Sequence, residues 1–273
     1  VYYRPLAANT DRLDKLTLNA NIHHVFDSDI SFVGSMYNEK GNFYDRIYDK
    51  LAPWARGYLD AIIAAQQNVY GMNFLEDMLS GTPDTNRILG ELMRVEPYTP
   101  NADGIETPAY TYANYFLARK VAQNERTALL SAVSEHFTTK LYTHNKTPDM
   151  PHVINQGAID FYDNMPYVFK CSKINLNITL RSIKNGIPLR CMDIMGAGGF
   201  LMTNFQADFL NHFTPDVDYV YFESKDDLIN KCDYYLKHDD ERMVIAENGH
   251  KKVQQFHNYR TRLEEIFEVC GLL

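Results

Sequence analysis

The sequence has few of the features that metal ions, membranes and nucleic acids require. Its four cysteines lie far apart and form no C-x2-C pair, so no zinc site is expected. No stretch approaches about 18 consecutive apolar residues, so we expect no membrane span. Acidic residues outnumber basic ones by 35 to 27, and no run of Lys and Arg occurs, so no nucleic-acid-binding surface is expected.

No secretory leader is expected, since the chain does not open with basic, apolar and small residues in turn. It begins with Val1 and not with Met, so we expect it to start inside a longer reading frame or after processing. Widely spaced cysteines in apolar surroundings are typical of buried free thiols in a reducing compartment. We therefore predict a cytoplasmic protein whose free thiols are Cys171, Cys191, Cys232 and Cys270.

Short apolar or β-branched runs alternate with helical patterns along much of the chain. Strands are predicted in the segments DISFVGS, TKLYTHN, PHVINQGAIDFYDN, KINLNIT, FLMTN and VDYVYFES. Helices are predicted in MPYVFKCS, PLRCMDIMGAGG and FQADFLNHF, and from Lys225 onward, with Asp239 or Asp240 as a cap. This alternation predicts an α/β fold with an open, twisted, parallel sheet.

Residues 43–122 have a different pattern of apolar residues and are predicted to be mostly helical. Apolar residues recur there every three to four positions, which is the spacing of one helix face. Pro53 is expected to break or kink this helix. The many tyrosines of the region are interpreted as packing groups, because no Lys or Arg pattern interleaves with them.

The segment GIPLRCMDIMGAGGFLMTN, residues 186–204, ends in a cluster of glycines. It does not match a dinucleotide-binding fingerprint, because the glycines follow a predicted helix and precede a strand. Gly196 or Gly198 is predicted to end the helix in a left-handed conformation. Gly199, which has no side chain, would then let the backbone pack closely against its neighbours as it enters the next strand.

The start of the same helix is the better candidate for chemistry. Unpaired backbone N–H groups and the helix dipole favour an anion there. We predict that Asn185 caps the helix, Gly186 turns the chain and Pro188 occupies the first turn. The predicted anion-binding turn consists of Asn185, Gly186, Ile187, Pro188 and Leu189.

Arg190 and Asp193 are three positions apart and so share a helix face. A guanidinium near a helix start suits a diphosphate. A carboxylate one turn later suits a pair of ribose hydroxyls. The alternative is a plain surface ion pair, which would stabilise little.

These residues are part of a wider resemblance. The block SKINLNIT…GIPLRCMDIMGAGGFLMTNFQADFLNHF resembles the C-terminal half of CgeB-like proteins, bacterial GT-B glycosyltransferases named for a spore-maturation protein. The similarity extends to PLAANTDRL, DISFVGSMYNEKGNFYDRI and the helical tail, and the 43–122 region is less distinctive.

The resemblance implies a Rossmann-like parallel sheet with helices on both faces. It implies that residues 29–273 form the donor-binding half, with a helical insertion at about 43–122 and residues 1–28 as a linker. The acceptor-binding half would then be missing. The implied reaction moves a sugar from a nucleoside diphosphate to an unknown acceptor, which could be a glycan, a protein or a small molecule, without a metal or other cofactor.

In retaining GT-B enzymes this region typically has two glutamates eight positions apart. Placing the second at Asp193 puts the first at Asn185. The ribose role implied for Asp193 is kept, because aspartate also accepts two hydrogen bonds. The amide at Asn185 departs from the pattern and leaves the contact with the donor sugar, and the stereochemistry, open.

Further donor-binding candidates follow from the implied fold. Gly34 and Ser35 would lie near the phosphates or the acceptor, although Gly34 is equally well explained as a turn. Lys173 could supply a second cation, or could be a solvated residue at a strand edge. The other candidates are Ser172 and Asn177 along the cleft and Tyr142, Thr143 and Gly157 for the base pocket.

Two other classes of function stay open. The first is another sugar-nucleotide enzyme, such as an epimerase. The second is a non-catalytic nucleotide-sugar sensor or interaction module, with the 43–122 helices as the partner surface or as a homodimer contact.

Overall fold

The computed structural model describes residues 2–100 and 104–272. The chain forms two compact units. The first, which we call the sheet unit, consists of Val1–Ser35, Leu129–Ile178 and Asn185–Leu273. The second, the helical unit, consists of Met36–Ala128 and Thr179–Lys184. Val1, residues 101–103 and Leu273, which the predicted domain ranges include, lie outside the described residues.

These boundaries differ from the predicted ones in two respects. The helical unit is wider than the expected insertion at 43–122 and also takes in a six-residue segment after the fourth strand. The region at 1–28 expected to be a linker forms part of the sheet unit. Its Ala8 and Leu13 are buried in the core of that unit, because both side chains are apolar and pack beside Val253.

The sheet unit contains one six-stranded sheet with the order β3-β2-β1-β4-β5-β6. Every neighbouring pair of strands is parallel. This is the doubly wound order in which the chain starts at the centre and extends to both sides, and it confirms the predicted Rossmann-like α/β fold. The strands are β1 Ser28–Val33, β2 Thr139–Tyr142, β3 Ile154–Gly157, β4 Ser172–Asn177, β5 Leu201–Asn204 and β6 Val220–Phe222.

Helices connect these strands and fill the helical unit. In chain order the α-helices are α1 Thr10–Leu13, α2 Ala20–Phe26, α3 Asp45–Tyr48, α4 Pro53–Gln67, α5 Pro83–Val95, α6 Pro108–Thr111, α7 Ala118–Ser134, α8 Met165–Cys171, α9 Leu189–Gly196, α10 Lys225–Lys237, α11 Asp239–Phe256 and α12 Tyr259–Val269. Asp77–Leu79 and Ala207–Asn211 are 3-10 helices, and Tyr112–Leu117 is a π-helix. None of the helices described combines the length and the apolar character needed to cross a membrane.

The helical unit has its own apolar core, in which Ile47, Leu59 and Leu92 are fully buried or nearly so. Pro53 is the first residue of α4, so the predicted break is confirmed. A buried ion pair joins Arg181 to Glu125, with Nη2 and Oε1 2.8 Å apart. Burial raises the pKa of Glu125, and the Arg181 charge opposes that rise.

Local predictions near the glycine cluster are confirmed. Gly198 follows α9 with φ +81°, the left-handed conformation expected of a helix end. A Cβ atom on Gly199 would lie 2.6 Å from the carbonyl oxygen of Phe169 and 2.7 Å from Nδ2 of Asn175. Gly199 is therefore required for the close approach of the chain to α8 and β4.

Two local predictions are wrong, and a third is confirmed only in part. Helix α11 begins at Asp239 itself, and its N-cap is His238, which makes no side-chain capping bond. The segment FQADFLNHF, predicted to be a helix, contains a helix of five residues and of the 3-10 type. Cys270 is exposed, because it directly follows the exposed last turn of α12, whereas the other three thiols are free and buried as predicted.

Candidate functional site

Parallel strands place their carboxyl ends at one edge of a sheet, and ligands of such folds bind at that edge. Gly34 follows β1, Gly157 ends β3 and Asn177 ends β4, so the predicted positions after these strands share this edge. The backbone N–H of Gly34 donates to the carbonyl of Tyr142, the last residue of β2, at 3.1 Å.

The turns after β1 and β2 are joined by one amide side chain. Asn145 Oδ1 accepts from the Ser35 hydroxyl at 3.3 Å and from the Thr143 hydroxyl at 3.1 Å. Gly157 has φ +79°, and its N–H donates to Asn155 Oδ1 at 2.9 Å. These contacts fix the turns at the carboxyl edge.

Three of the predicted candidates at this edge are buried. Tyr142 is 5% exposed and belongs to the apolar core of the sheet unit, where burial raises its pKa to about 12. Thr143 and Asn177 are also buried, and the Asn177 amide donates to the Thr203 hydroxyl at 2.9 Å. The alternating pattern of a strand places its last side chains in the core as readily as in a cleft.

Ser172 and Lys173 lie at the opposite end of the sheet from the expected cleft. Both are at the start of β4, and Ser172 pairs with Ser28 at the start of β1. Lys173 forms an ion pair with Asp29, with Nζ and Oδ1 3.0 Å apart. Placing them in the cleft was wrong, because the first residues of a parallel strand lie at the edge opposite to its carboxyl end.

The turn before α9 has a different geometry from the predicted one. Asn185 is exposed and is not the cap; α9 begins at Leu189, and Pro188 is its N-cap. Gly186 turns the chain as expected, with φ +93°. Its N–H donates to the Asp208 carboxylate, and the Ile187 N–H donates to the Tyr3 hydroxyl at 3.2 Å.

These backbone donors therefore already have protein acceptors. One of them, Asp208, is an anion, as the prediction of an anion-binding turn requires, but the anion is part of the chain. The Tyr3 hydroxyl lies 2.7 Å from where a Cβ atom of Gly186 would be, so the turn also needs glycine for space.

Arg190 and Asp193 share a face of α9 as predicted. Arg190 Nη1 lies 3.1 Å from Asp193 Oδ2 and 2.6 Å from the sulfur of Met165. The guanidinium also lies 5.7 Å from the ring centre of Phe169. Burial lowers the pKa of Arg190. The pair is thus partly buried against α8 and is not a solvated surface pair.

Asp193 borders a cavity of about 250 Å³ in the sheet unit, which we call the Asp193 cavity. Arg12 and Asn9 also line it, near the start of the chain. The other lining residues are Leu13, Phe161, Tyr162, Met165, Pro166, Phe169 and Tyr259. The wall thus combines aromatic rings with a carboxylate, a guanidinium and an amide.

The electrostatics of the Asp193 cavity depend on burial. Desolvation raises the pKa of Asp193 to about 6, and the charge of Arg190 acts in the opposite direction. Arg12 donates to the carbonyl of Tyr162, and its guanidinium lies 5.8 Å from the Tyr162 ring centre. A carboxylate that titrates near neutrality beside aromatic faces can accept two hydroxyl donors and leave room for a planar ring.

Sequence reasoning did not identify Arg12, Asn9, Phe161, Tyr162 or Tyr259 as site residues. Asn9 and Arg12 lie in the PLAANTDRL segment, which was interpreted as a linker. The available signal was the N-cap pattern there, because the Asn9 side chain accepts from the Arg12 N–H at the start of α1. A capped helix indicates a folded segment and not a linker.

A family model described as glycosyl transferase-like matches residues 117–268, more than half of the chain. No curated protein sequence matches the chain.

Three solved structures are similar to the chain at low sequence identity. HepE from Anabaena, solved with UDP, has a TM-score of 0.45 and 13% identity over 54% of this chain and 45% of that chain. Sucrose-phosphate synthase from Thermosynechococcus elongatus has a TM-score of 0.44 and 12% identity over 54% and 41%. The C-terminal domain of LpcC from Francisella tularensis, a glycosyl transferase group 1 family protein, has a TM-score of 0.40 and 15% identity over 49% and 79%. The chain spans less than half the length of the first two.

Proposed function

Because the chain belongs to the glycosyl transferase-like family, we propose that its sheet unit binds the nucleoside diphosphate of a sugar donor. The whole protein would transfer that sugar to an acceptor. The observation on which this rests is the position of Asp193. A carboxylate with a pKa of about 6, in the second turn of α9, borders a cavity lined by aromatic rings in a doubly wound fold.

Asp193 would accept hydrogen bonds from two ribose hydroxyls. This needs the ionised form, and Arg190 favours that form from 3.1 Å away. Arg190 packs against Met165 and does not line the Asp193 cavity, so we assign it a positioning role through Asp193. This replaces the direct diphosphate contact expected from the sequence.

The nucleobase would lie among the rings of Phe161, Tyr162 and Tyr259, since every base has a π-face on which an aromatic side chain can stack. Negative charge develops on the diphosphate as its bond to the sugar breaks. The guanidinium of Arg12, which lines the Asp193 cavity, can stabilise that charge. We propose that the reaction uses no cofactor besides the donor.

Several finer assignments are part of the same proposal. The SKINLN and GIPLRCMDIMGAGG segments favour a CgeB-like bacterial protein. Acidic residues outnumber basic residues by 35 to 27, which favours a glycan, protein or small-molecule acceptor over nucleic acid. A cytoplasmic location and a homodimer formed through the helical unit complete the proposal.

Calorimetry of UDP, GDP, ADP, CMP and dTDP with this chain tests the donor site. We expect one nucleotide to bind and the others to bind at least about ten-fold more weakly, a difference of about 1.4 kcal/mol. Asp193→Ala should weaken the binding of that nucleotide, because the contact with the ribose hydroxyls is lost. If no nucleotide binds this chain or the full-length protein, the proposal is wrong. Donor binding without transfer by the full-length protein would indicate a nucleotide-sugar sensor.

A further inference from the structure

The helical unit contains a second cavity, of about 320 Å³, which we call the helical-unit cavity. It is lined mainly by aromatic and acidic side chains. Among these are Phe43, Tyr115, Phe116, Glu96 and Glu106, together with Arg46. All of them belong to the helical unit, and none lines the Asp193 cavity.

An unusual backbone conformation forms one wall of the helical-unit cavity. Tyr112–Leu117 is a six-residue π-helix between α6 and α7. A π-helical segment is rare and is frequently found at functional sites, because its extra residue redirects the side chains of the helix. Here it supplies Tyr112, Tyr115 and Phe116 to the cavity.

Polar groups lie between these rings. Arg46 Nη2 is 2.5 Å from Glu96 Oε1, and the Tyr115 hydroxyl donates to Glu106 Oε1 at 2.8 Å. Each carboxylate has about four acceptor sites, so both keep acceptor capacity. Among the residues described, the Thr111 hydroxyl oxygen on the cavity wall is buried without a hydrogen-bond partner.

Charge and shape limit what this cavity can hold. The lining residues carry two carboxylates and one guanidinium, and a second guanidinium, that of Arg119, lies 4.9 Å from the Phe43 ring centre. These charges balance, so a phosphate gains no net attraction. An organic cation would be repelled at the aromatic faces, because Arg46 lies 4.7 Å from the Phe43 centre and Arg119 lies 5.8 Å from the Tyr115 centre. A neutral ring with an apolar face and hydroxyls at its edge fits both the aromatic and the acceptor groups.

We propose that the helical-unit cavity binds a hexose unit of a saccharide. The Tyr115 ring would contact the apolar face of the sugar, and Glu96 and Glu106 would accept from its hydroxyls. That this saccharide is the acceptor rests on the proposed transfer function, whereas the binding itself does not.

The test is saturation-transfer difference NMR and calorimetry on the whole chain. The probes are glucose, galactose, mannose, N-acetylglucosamine and disaccharides of each, with choline and inorganic phosphate for comparison. We expect a saccharide to bind, and Tyr115→Ala and Glu106→Gln each to weaken it by about ten-fold or more. Tyr234→Ala is the matched control: Tyr234 is 43% exposed against 37% for Tyr115, and its hydroxyl also donates to a carboxylate, Glu241, at 2.8 Å.

Four outcomes would overturn the assignment: no saccharide binds, choline or phosphate binds instead, a nucleotide competes with the saccharide, or Tyr234→Ala weakens binding as much as Tyr115→Ala. Nucleotide binding is measured on the same sample. Nucleotide binding without saccharide binding would contradict the saccharide site alone. Saccharide binding without nucleotide binding, by this chain and by the full-length protein, would contradict the donor site alone.

Discussion

Arg190 and Asp193 are joined by a 3.1 Å ion pair across one turn of α9, and both are partly buried. Two opposing effects act on the pKa of the Asp193 carboxyl group. Burial favours its neutral form, and the guanidinium favours its charged form. The pKa of Asp193 is therefore about 6, so a change in its surroundings should alter its ionisation near neutral pH. Both stability and nucleotide binding should respond.

Removal of the arginine should show its positioning role. In Arg190→Ala, the pKa of Asp193 should rise further, because burial acts without the opposing charge. Nucleotide affinity at pH 7 should fall, by roughly 1–3 kcal/mol for hydrogen bonds to a charged group, and Arg190→Lys should restore part of it. Calorimetry over a pH series measures the affinity and its midpoint together.

A matched pair elsewhere provides the control. Arg242 and Asp239 are also three positions apart on one helix, with Nη2 and Oδ1 2.7 Å apart. Arg242→Ala should leave nucleotide affinity and its pH midpoint unchanged. If it lowers the affinity as much as Arg190→Ala, the positioning role is wrong.

Nucleotide binding should strengthen as pH rises through about 6, since ribose hydroxyls donate to the ionised form of Asp193. Stability should change in the opposite direction. The folded pKa of about 6 lies above the ordinary value of 3.8, so the folded protein holds the proton more tightly than the unfolded chain. The free energy of unfolding should then fall as pH rises from about 4 to about 6.

Asp193→Asn should remove the contribution of Asp193 to the pH dependence of nucleotide affinity and to that of the free energy of unfolding. Urea unfolding and calorimetry at matched pH values would measure them separately. A variant with the same pH dependence of nucleotide affinity as the parent would show that another group titrates at the site.

The aromatic wall of the Asp193 cavity can be tested at Tyr162, which is 65% exposed. Tyr162→Ala should weaken nucleotide binding by roughly 1–3 kcal/mol if a base stacks on the ring, with little effect on stability. Phe256→Ala is a suitable control, because Phe256 is 49% exposed and does not line this cavity. Equal losses for the two variants in calorimetry would argue against stacking at Tyr162.

Gly199→Ala should destabilise the sheet unit. Its new methyl group would lie 2.6 Å from a backbone carbonyl oxygen, so the chain would have to move. Gly90 provides the contrast: it lies inside α5 with open space around it, and Gly90→Ala should raise stability by about 0.5–1 kcal/mol. Thermal unfolding of both variants would measure the difference, and a neutral Gly199→Ala would mean that the close approach relaxes at little cost.

The sequence allowed the class of the fold to be predicted because hydrophobic periodicity is local. The strands at DISFVGS and KINLNIT and the helix at PLRCMDIMGAGG are found where the pattern predicts them. The face shared by Arg190 and Asp193 was predictable for the same reason, since helical spacing fixes it.

The rest of the site depends on contacts between residues distant in sequence. Nothing near Asp193 in the sequence indicates that Arg12 and Tyr162 line the same cavity. The acceptors of the turn before α9 are likewise remote, since Tyr3 and Asp208 lie far from Gly186 along the chain. The placement of Ser172 and Lys173 in the cleft was an error of a different kind. Both residues begin β4, and in a parallel sheet the chain direction alone puts them at the edge away from the ligand.

The ion pair between Glu125 and Arg181 has a consequence for biosynthesis. The two residues are 56 positions apart, and β2, β3, α8 and β4 lie between them in the chain. A ribosome therefore releases the carboxylate well before the arginine that pairs with it, and a buried carboxylate without its cation is costly. The helical unit should reach its final packing only after the strands β2 to β4 have emerged from the ribosome. Folding of this early segment should therefore be completed late in translation.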